Sequence, residues 1–139
     1  MKLCILILTI SFLAAPAFAQ TLVKTVEPVR VSLPDSETMT DSDRQFNELL
    51  RLELNRAANI RFTQARFDYR ILTATVPITS KGLRAGFAVA LAVVTKGAGD
   101  KEVNLKLNVM VAPTLNELAS DAGAFLDKEL KAKEKDKWH

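Results

Sequence analysis

The sequence lacks the side chains that most nucleophilic and metal-dependent enzymes use. Of its 139 residues, one is cysteine and one is histidine, and these are Cys4, near the start, and His139, the last residue. A catalytic triad needs a base near neutrality, and zinc or copper sites need cysteine or histidine ligands. No catalytic residue, metal site or cofactor is therefore predicted, and no disulfide can stabilise the fold.

No hydrophobic run is long enough to cross a bilayer. The longest, over 3–15, has about 13 residues where roughly 20 are needed. A lysine precedes this run and Ala17-Phe18-Ala19 follows it, which is the order that a signal peptidase reads. We predict a signal peptide over 1–19, an exported protein that is periplasmic or extracellular, and no stable membrane insertion after the leader is removed.

The chain also lacks a concentrated charge of either sign. Its net charge is +3, and the basic excess lies in the last residues, from Lys128 onward. A nucleic-acid partner needs several basic groups on one face, so nucleic acid is excluded as a partner. Residues 132–139 are predicted to be a charged, flexible tail, in which Trp138 is a candidate interaction residue because an exposed indole docks into grooves. A disordered chain end is the alternative for Trp138.

Two amphipathic helices are predicted, each with a capping box at its start. Thr40 and Asp43 form the first box, in which the hydroxyl and the carboxylate each satisfy a free backbone N–H. Apolar residues at spacings of three and four then favour a helix over 41–58. Thr114-Leu115-Asn116-Glu117 is the second box, ahead of a helix that is expected to run to about Lys131.

The hydrophobic period changes from 3.6 to 2 after the first helix. Asn59 tolerates a left-handed backbone and is expected to end that helix, and residues 60–62 are predicted as a short strand. The β-rich segment 69–76 is a longer strand that Pro77 is expected to end. Upstream, the segment 20–33 is interpreted as an extended arm or edge strand interrupted by a proline.

Two further strands follow. Segment 85–95 has bulky residues on one side, Phe87 among them, and glycine and alanines on the other. A strand that is apolar on both sides must be covered on both, which predicts the central strand, with Phe87 as a candidate interaction residue and a small-residue side that a partner can approach. Segment 103–111 alternates apolar and polar residues, and its apolar side is expected to face the core.

These elements predict an α+β fold. We expect a mainly antiparallel sheet of three to five strands with two amphipathic helices packed on one face. The domain organisation is a single α+β domain over 41–131, which follows an extended arm and loop over 20–40.

The remaining candidates for chemistry are acids and arginines. Asp68, at the entrance to a strand, is the acid to test for a carboxylate-dependent hydrolase, although acids at this position usually pair with an arginine. Arg44, Arg51 and Arg70 belong to a dense arginine series that presents cations to an anionic partner or, alternatively, forms a solvated face with an i, i+4 pair between Arg44 and Glu48. A group of acids over 35–43 lacks the calcium-loop pattern.

One family resemblance is carried by the helix over 46–54 and by Phe67-Asp68-Tyr69-Arg70-Ile71-Leu72-Thr73-Ala74. This order resembles the small periplasmic α/β module of the TolB amino-terminal domain and of LpoB-type outer-membrane accessory proteins. Phe67 stands where that motif has alanine, and Ala74 where it has glycine. The resemblance implies a non-catalytic module that binds an envelope protein, and it transfers no binding residue.

The sequence therefore favours an exported, non-enzymatic protein-interaction module of the cell envelope. Its partner is an envelope protein or a second copy of the chain, and the contact surface is the sheet face or edge that the helices leave uncovered. The alternatives are a carrier of a hydrophobic small molecule held between helices and sheet and, less favoured, the hydrolase.

Overall fold

The computed structural model describes residues 27–34, 39–57, 59–96 and 101–136. The predicted leader, the start of the arm, the loop over 97–100 and Trp138 lie outside these residues. The elements in chain order are β1 (Val29–Ser32), α1 (Asp41–Arg56), β2 (Ile60–Phe62), β3 (Tyr69–Ser80), β4 (Leu83–Lys96), β5 (Glu102–Ala112) and α2 (Leu115–Asp136). The α+β class and the two helices are confirmed.

The sheet is mixed, with the strand order β2-β1-β3-β4-β5. β1 runs parallel to both of its neighbours, while β3, β4 and β5 form an antiparallel meander. The prediction of a mainly antiparallel sheet is wrong for the β1 half. The reason is that α1 carries the chain from the end of β1 back to the start of β2, as a crossover between parallel strands does.

The amino-terminal segment also differs from its prediction as an edge strand. β1 lies between β2 and β3, and Val31 pairs with Phe62 on one side and Tyr69 on the other. Pro28 precedes the strand and does not interrupt it. Val31 is fully buried, so this strand is part of the core.

β3 continues past Pro77 to Ser80, so the prediction that this proline ends the strand is wrong. The Thr75 N–H points away from β4 and donates to Asp43 Oδ1 at 2.6 Å. Backbone groups two residues apart on a strand point the same way, so Pro77 lacks an N–H on the side facing away from β4. No ladder bond to β4 is lost, and the proline is tolerated.

The capping box predicted at the start of α1 is confirmed. Thr40 Oγ1 accepts from the Asp43 N–H at 3.2 Å and the Asp43 carboxylate accepts from the Thr40 N–H at 3.2 Å, which completes the capping box. The prediction that Asn59 ends this helix is wrong: α1 ends at Arg56 and its C-cap, Ala57, is extended, although Asn59 does adopt a left-handed backbone with φ of 81°. Lys81 and Gly82 both have positive φ, as a two-residue hairpin turn between antiparallel strands requires.

Both helices pack on one face of the sheet, and the core lies between the two layers. α2 reaches Asp136, further than the predicted end at Lys131, so the tail predicted as flexible begins as helix. The helices approach closely at Gly123, where a Cβ would lie 2.9 Å from Glu53 Cβ. The largest fully buried side chains are Phe46, Leu33, Leu50, Leu54, Ile71, Leu91, Leu118, Leu126, Val31 and Val89.

Candidate functional site

The apolar side of β5 faces away from the helices. Leu107, Val109 and Val111 are 71%, 69% and 63% exposed. On the opposite side of the strand, Lys106 reaches α2 and binds Glu129 at 2.5 Å, and Ala112 is buried. The prediction that the apolar side of this strand faces the core is therefore wrong, because the alternation shows that the two sides differ and not which of them the helices cover.

β4 is covered on one side by the helices of the described structure. Its bulky residues, among them Val89 and Leu91, are buried in the core. The opposite side carries alanines, and Ala90 at its middle is exposed. The expectation that this strand is covered on both sides is not met by the described residues, and its small-residue side belongs to an open surface.

Three strands contribute to this surface in register. Alanine residues of β4 form a shallow groove because their side chains are shorter than those beside them. Larger residues of β5 form a continuous ridge on one side, and Leu72 and Val76 of β3, with Ala74 between them, flank the other side. We call this surface the outer face. Its three cross-strand rows are Val76-Ala88-Val111, Ala74-Ala90-Val109 and Leu72-Ala92-Leu107.

A charged cluster closes one end of the outer face. Arg70 Nη1 lies 2.6 Å from Glu102 Oε1, and the Arg70 guanidinium carbon lies 4.3 Å from the centre of the Phe67 ring. Val94, the cross-strand neighbour of Arg70, is 2% exposed. The cluster therefore shields apolar side chains at this end, whereas the three rows beside it remain open.

Replacing Arg70 by alanine is expected to lower the free energy of unfolding by about 1 kcal/mol, since the ion pair, the ring contact and the cover over apolar groups are lost together. Arg56→Ala is the matched control. Its guanidinium also forms an ion pair, with Glu53 at 2.7 Å, but is 75% exposed, so a change within about 0.5 kcal/mol is expected. Urea unfolding of both variants measures the difference, and equal losses would contradict the shielding role of Arg70.

The other predicted interaction residues do not converge on the outer face. Arg44 and Arg51 lie on α1, where Arg44 pairs with Asp41 at 2.9 Å and not with the predicted Glu48, and the Arg51 guanidinium carbon lies 5.4 Å from the Phe62 ring centre. Phe87 is buried on the helix side of β4.

Phe87 also lines a surface cleft between the middle of α1 and the start of α2. Leu49, Leu52 and Leu115 contribute apolar side chains to its wall. The layer between helices and sheet is filled by a continuous cluster of buried side chains, which does not favour a hydrophobic ligand held in that layer. The cleft is open to solvent and separate from the outer face.

Asp68 is held by an arginine, as expected of an acid at a strand entrance. Its Oδ2 accepts from the Arg30 N–H at 2.9 Å and from Nε at 3.3 Å, and its Oδ1 accepts from Nη2 at 2.9 Å. These bonds raise the pKa of the Arg30 guanidinium. The arrangement fixes β1 to the start of β3, which is a structural task for this carboxylate.

Two of the acids in the group over 35–43 form contacts within the first turn of α1. Asp41 pairs with Arg44, and Asp43 completes the capping box, while Asp35 and Glu37 lie outside the described residues. Over the described ranges, no group of three or more histidine, cysteine, aspartate or glutamate side chains is placed to hold a metal ion.

Sequence reasoning placed the contact surface on the uncovered sheet face but did not name the residues that form it. Leu107, Val109 and Val111 were assigned to the core, although their alternation with polar residues is visible in the sequence. The sequence signal for the outer face was the run of alternating alanines in β4. These small side chains form the bottom of a groove between the larger residues of β3 and β5.

Comparison with known proteins yields weak structural likenesses. No protein-family description matches the chain, and no curated protein matches it. A solved structure to which it is similar is that of rare lipoprotein B from Shewanella oneidensis, at 15% sequence identity and a TM-score of 0.36, over 79% of this chain and 99% of that one. This agrees with the weak resemblance predicted from the sequence, and the proposals below rest on this chain's own residues.

None of the helices within the described ranges combines the length and apolar character that a membrane-spanning helix needs.

Proposed function

We propose that this chain is an exported, non-catalytic protein-interaction module of the bacterial cell envelope, and that it binds its partner through the outer face. The observation that supports the proposal is the exposure of the leucine and valine side chains of that face, which ranges from 41% at Leu72 to 71% at Leu107. Contiguous apolar patches of this kind mark protein contacts. The leader predicted over 1–19 supports export.

The shape of the outer face suits a protein more than a small molecule. It extends over three strands and exposes roughly 500 Å² of apolar surface, which is comparable to the largest patches of monomeric proteins. Small-molecule sites are concave and bury most of their ligand, with a few polar groups that orient it. The three rows of the outer face contain no polar side chain.

A capture experiment tests this function. The full chain is expressed, purified, immobilised and exposed to an extract of envelope proteins, and the retained proteins are quantified by mass spectrometry. Val109→Asp places a charge at the centre of the face, where binding would bury it without a partner, so capture is expected to fall at least tenfold.

Leu83→Asp is the matched control for this experiment. Leu83 is 75% exposed at the hairpin end of the same sheet and lies outside the three rows. The same charge is introduced there, and capture is expected to remain at the level of the unchanged chain. Equal retention by both variants, with circular dichroism showing that both are folded, would contradict binding through the outer face.

A further inference from the structure

We propose that the occupant of the outer face is a second copy of this chain, packed face to face so that the β5 ridge of each copy lies in the alanine groove of the other. The proposal rests on the proposed function, because it assigns a partner to the same surface. Self-complementary shape, uniform chemistry and the available area carry it.

The outer face is complementary to itself. The ridge of β5 (Leu107, Val109 and Val111) lies one strand away from the groove of β4 (Ala88, Ala90 and Ala92), and the two are in register. The two copies are related by a twofold axis that runs parallel to the strands, in the plane between the facing sheets and over the midline between β4 and β5. Rotation about this axis places the β5 ridge of each copy opposite the β4 groove of the other. Rotation about this axis preserves height along the strands, so Val109 of each copy lies over Ala90 of the other.

This packing is an isologous contact, in which the same patch serves both copies. Facing sheets pack about 10 Å apart when their side chains interdigitate. Alanine at the middle row permits this distance, because the valine of the opposite copy meets a small side chain. Two ridges placed opposite each other would hold the sheets further apart and leave the groove empty.

The chemistry of the face also favours an identical partner. The three rows contain alanine, valine and leucine alone, so no charge within them selects a partner of opposite sign. At one end of the face, the charges of Arg70 and Glu102 already pair with each other at 2.6 Å. Such an arrangement, apolar at the centre with charges at the rim, is typical of interfaces between identical chains.

The area is close to the lower limit for a weak dimer. In this arrangement the β4 and β5 parts of the two faces meet and β3 lies outside the contact, so each copy buries somewhat less than the roughly 500 Å² of the whole outer face and a pair removes just under about 1,000 Å² from water. We therefore expect dissociation in the micromolar range, with Kd of about 10 μM.

Pairing of two β5 edges is the competing arrangement of two copies. β5 is the last strand of the described sheet, and an open edge can pair with another strand. That pairing joins two outer faces side by side and leaves both exposed to water. It does not account for the aliphatic ridge of β5, whereas face-to-face packing buries that ridge.

Sedimentation equilibrium of the purified full chain, from about 1 μM to about 1 mM, tests the proposal. The unchanged chain is expected to dimerise. Ala90→Leu adds apolar surface but fills the groove that receives the opposite ridge, so dimerisation is expected to weaken by about tenfold or more. Leu83→Ala is the control, since it removes an exposed leucine outside the face, and the dimer is expected to keep its affinity.

Each other outcome overturns the proposal. A monomer at every concentration excludes the second copy, while the Val109→Asp capture experiment judges the proposed function separately. Tighter association of Ala90→Leu would indicate unspecific apolar contact, and unchanged association would indicate pairing through the β5 edge or another surface. Thermal unfolding of the variant, whose substitution lies at an exposed position, verifies that it is folded.

Discussion

Replacing Asp43 by alanine is expected to lower the free energy of unfolding by about 3 kcal/mol. Two costs contribute: the lost bonds of the carboxylate to the Thr40 N–H and hydroxyl in the capping box, at about 1 kcal/mol, and the buried backbone N–H of Thr75 that is left without an acceptor, at about 2 kcal/mol. Asp43 accepts from the Thr40 hydroxyl at 2.7 Å and from the Thr75 N–H at 2.6 Å, so one carboxylate completes the capping box of α1 and binds the open side of β3. Urea unfolding at neutral pH measures the loss.

The Asp43 carboxylate is also expected to make the free energy of unfolding depend on pH in the acidic range. Burial by itself raises the pKa of Asp43, but hydrogen bonds from Thr40 and Thr75 to the charged form outweigh this and lower it below the ordinary value of 3.8. The unfolded chain therefore binds the proton more readily. The contribution of Asp43 is present in full above about pH 5 and is lost as the pH falls through 3.8 toward the lower folded-state pKa.

Two variants separate these effects. Asp43→Asn keeps one oxygen acceptor but does not titrate, so its stability is expected to fall less between pH 5 and pH 3 than that of the unchanged chain. Asp41→Ala removes a neighbouring acid whose side chain is exposed and pairs with Arg44, and its cost is expected to stay within about 0.5 kcal/mol. A similar cost for Asp41→Ala and Asp43→Ala would show that Asp43 has no special role.

Replacing Gly86 by alanine is expected to lower the free energy of unfolding by about 2 kcal/mol. A Cβ at this position would lie 2.7 Å from the Ala112 carbonyl oxygen and 3.4 Å from Pro113 Cα. Both atoms belong to the backbone, so no rotamer change relieves the contact and the end of β5 must shift. The cost of such overpacking, about 1–3 kcal/mol, exceeds the gain of up to about 1 kcal/mol from replacing glycine in a strand.

Ala85→Val is the matched control for this substitution. Ala85 is the exposed neighbour of Gly86 in the same strand, and a β-branched side chain there suits an extended backbone. Its free energy of unfolding is expected to stay within about 0.5 kcal/mol of that of the unchanged chain. If Gly86→Ala proved as stable as the control, the close approach of β4 and Ala112 would not constrain the fold.

Helix and turn positions were largely predictable because their causes are local. The capping box of Thr40 and Asp43, the left-handed Asn59 and the short strand Ile60–Phe62 depend on residues within a few positions of each other. Their hydrogen bonds form within one turn of chain. The hydrogen bond from the Thr75 N–H to Asp43 joins residues 32 positions apart, and no local sequence pattern predicts it.

Pairing partners of the strands were not predictable in the same way. Whether Val29–Ser32 is an edge or an inner strand depends on the return of the chain after α1, and Pro77 is tolerated because its side of β3 faces away from β4. Both facts concern neighbours that are remote in sequence. A proline marks a missing donor, but its cost depends on whether that donor had a partner.

By itself, the sequence determined that the described chain offers neither cysteine nor histidine chemistry, that two capped helices form, and that β4 and β5 each have two unlike sides. The tertiary structure decided which of those sides meets water. A period of two along a strand separates its faces without orienting them, and the orientation follows from where α1 and α2 pack on the completed sheet. Only that packing leaves Leu107, Val109 and Val111 uncovered.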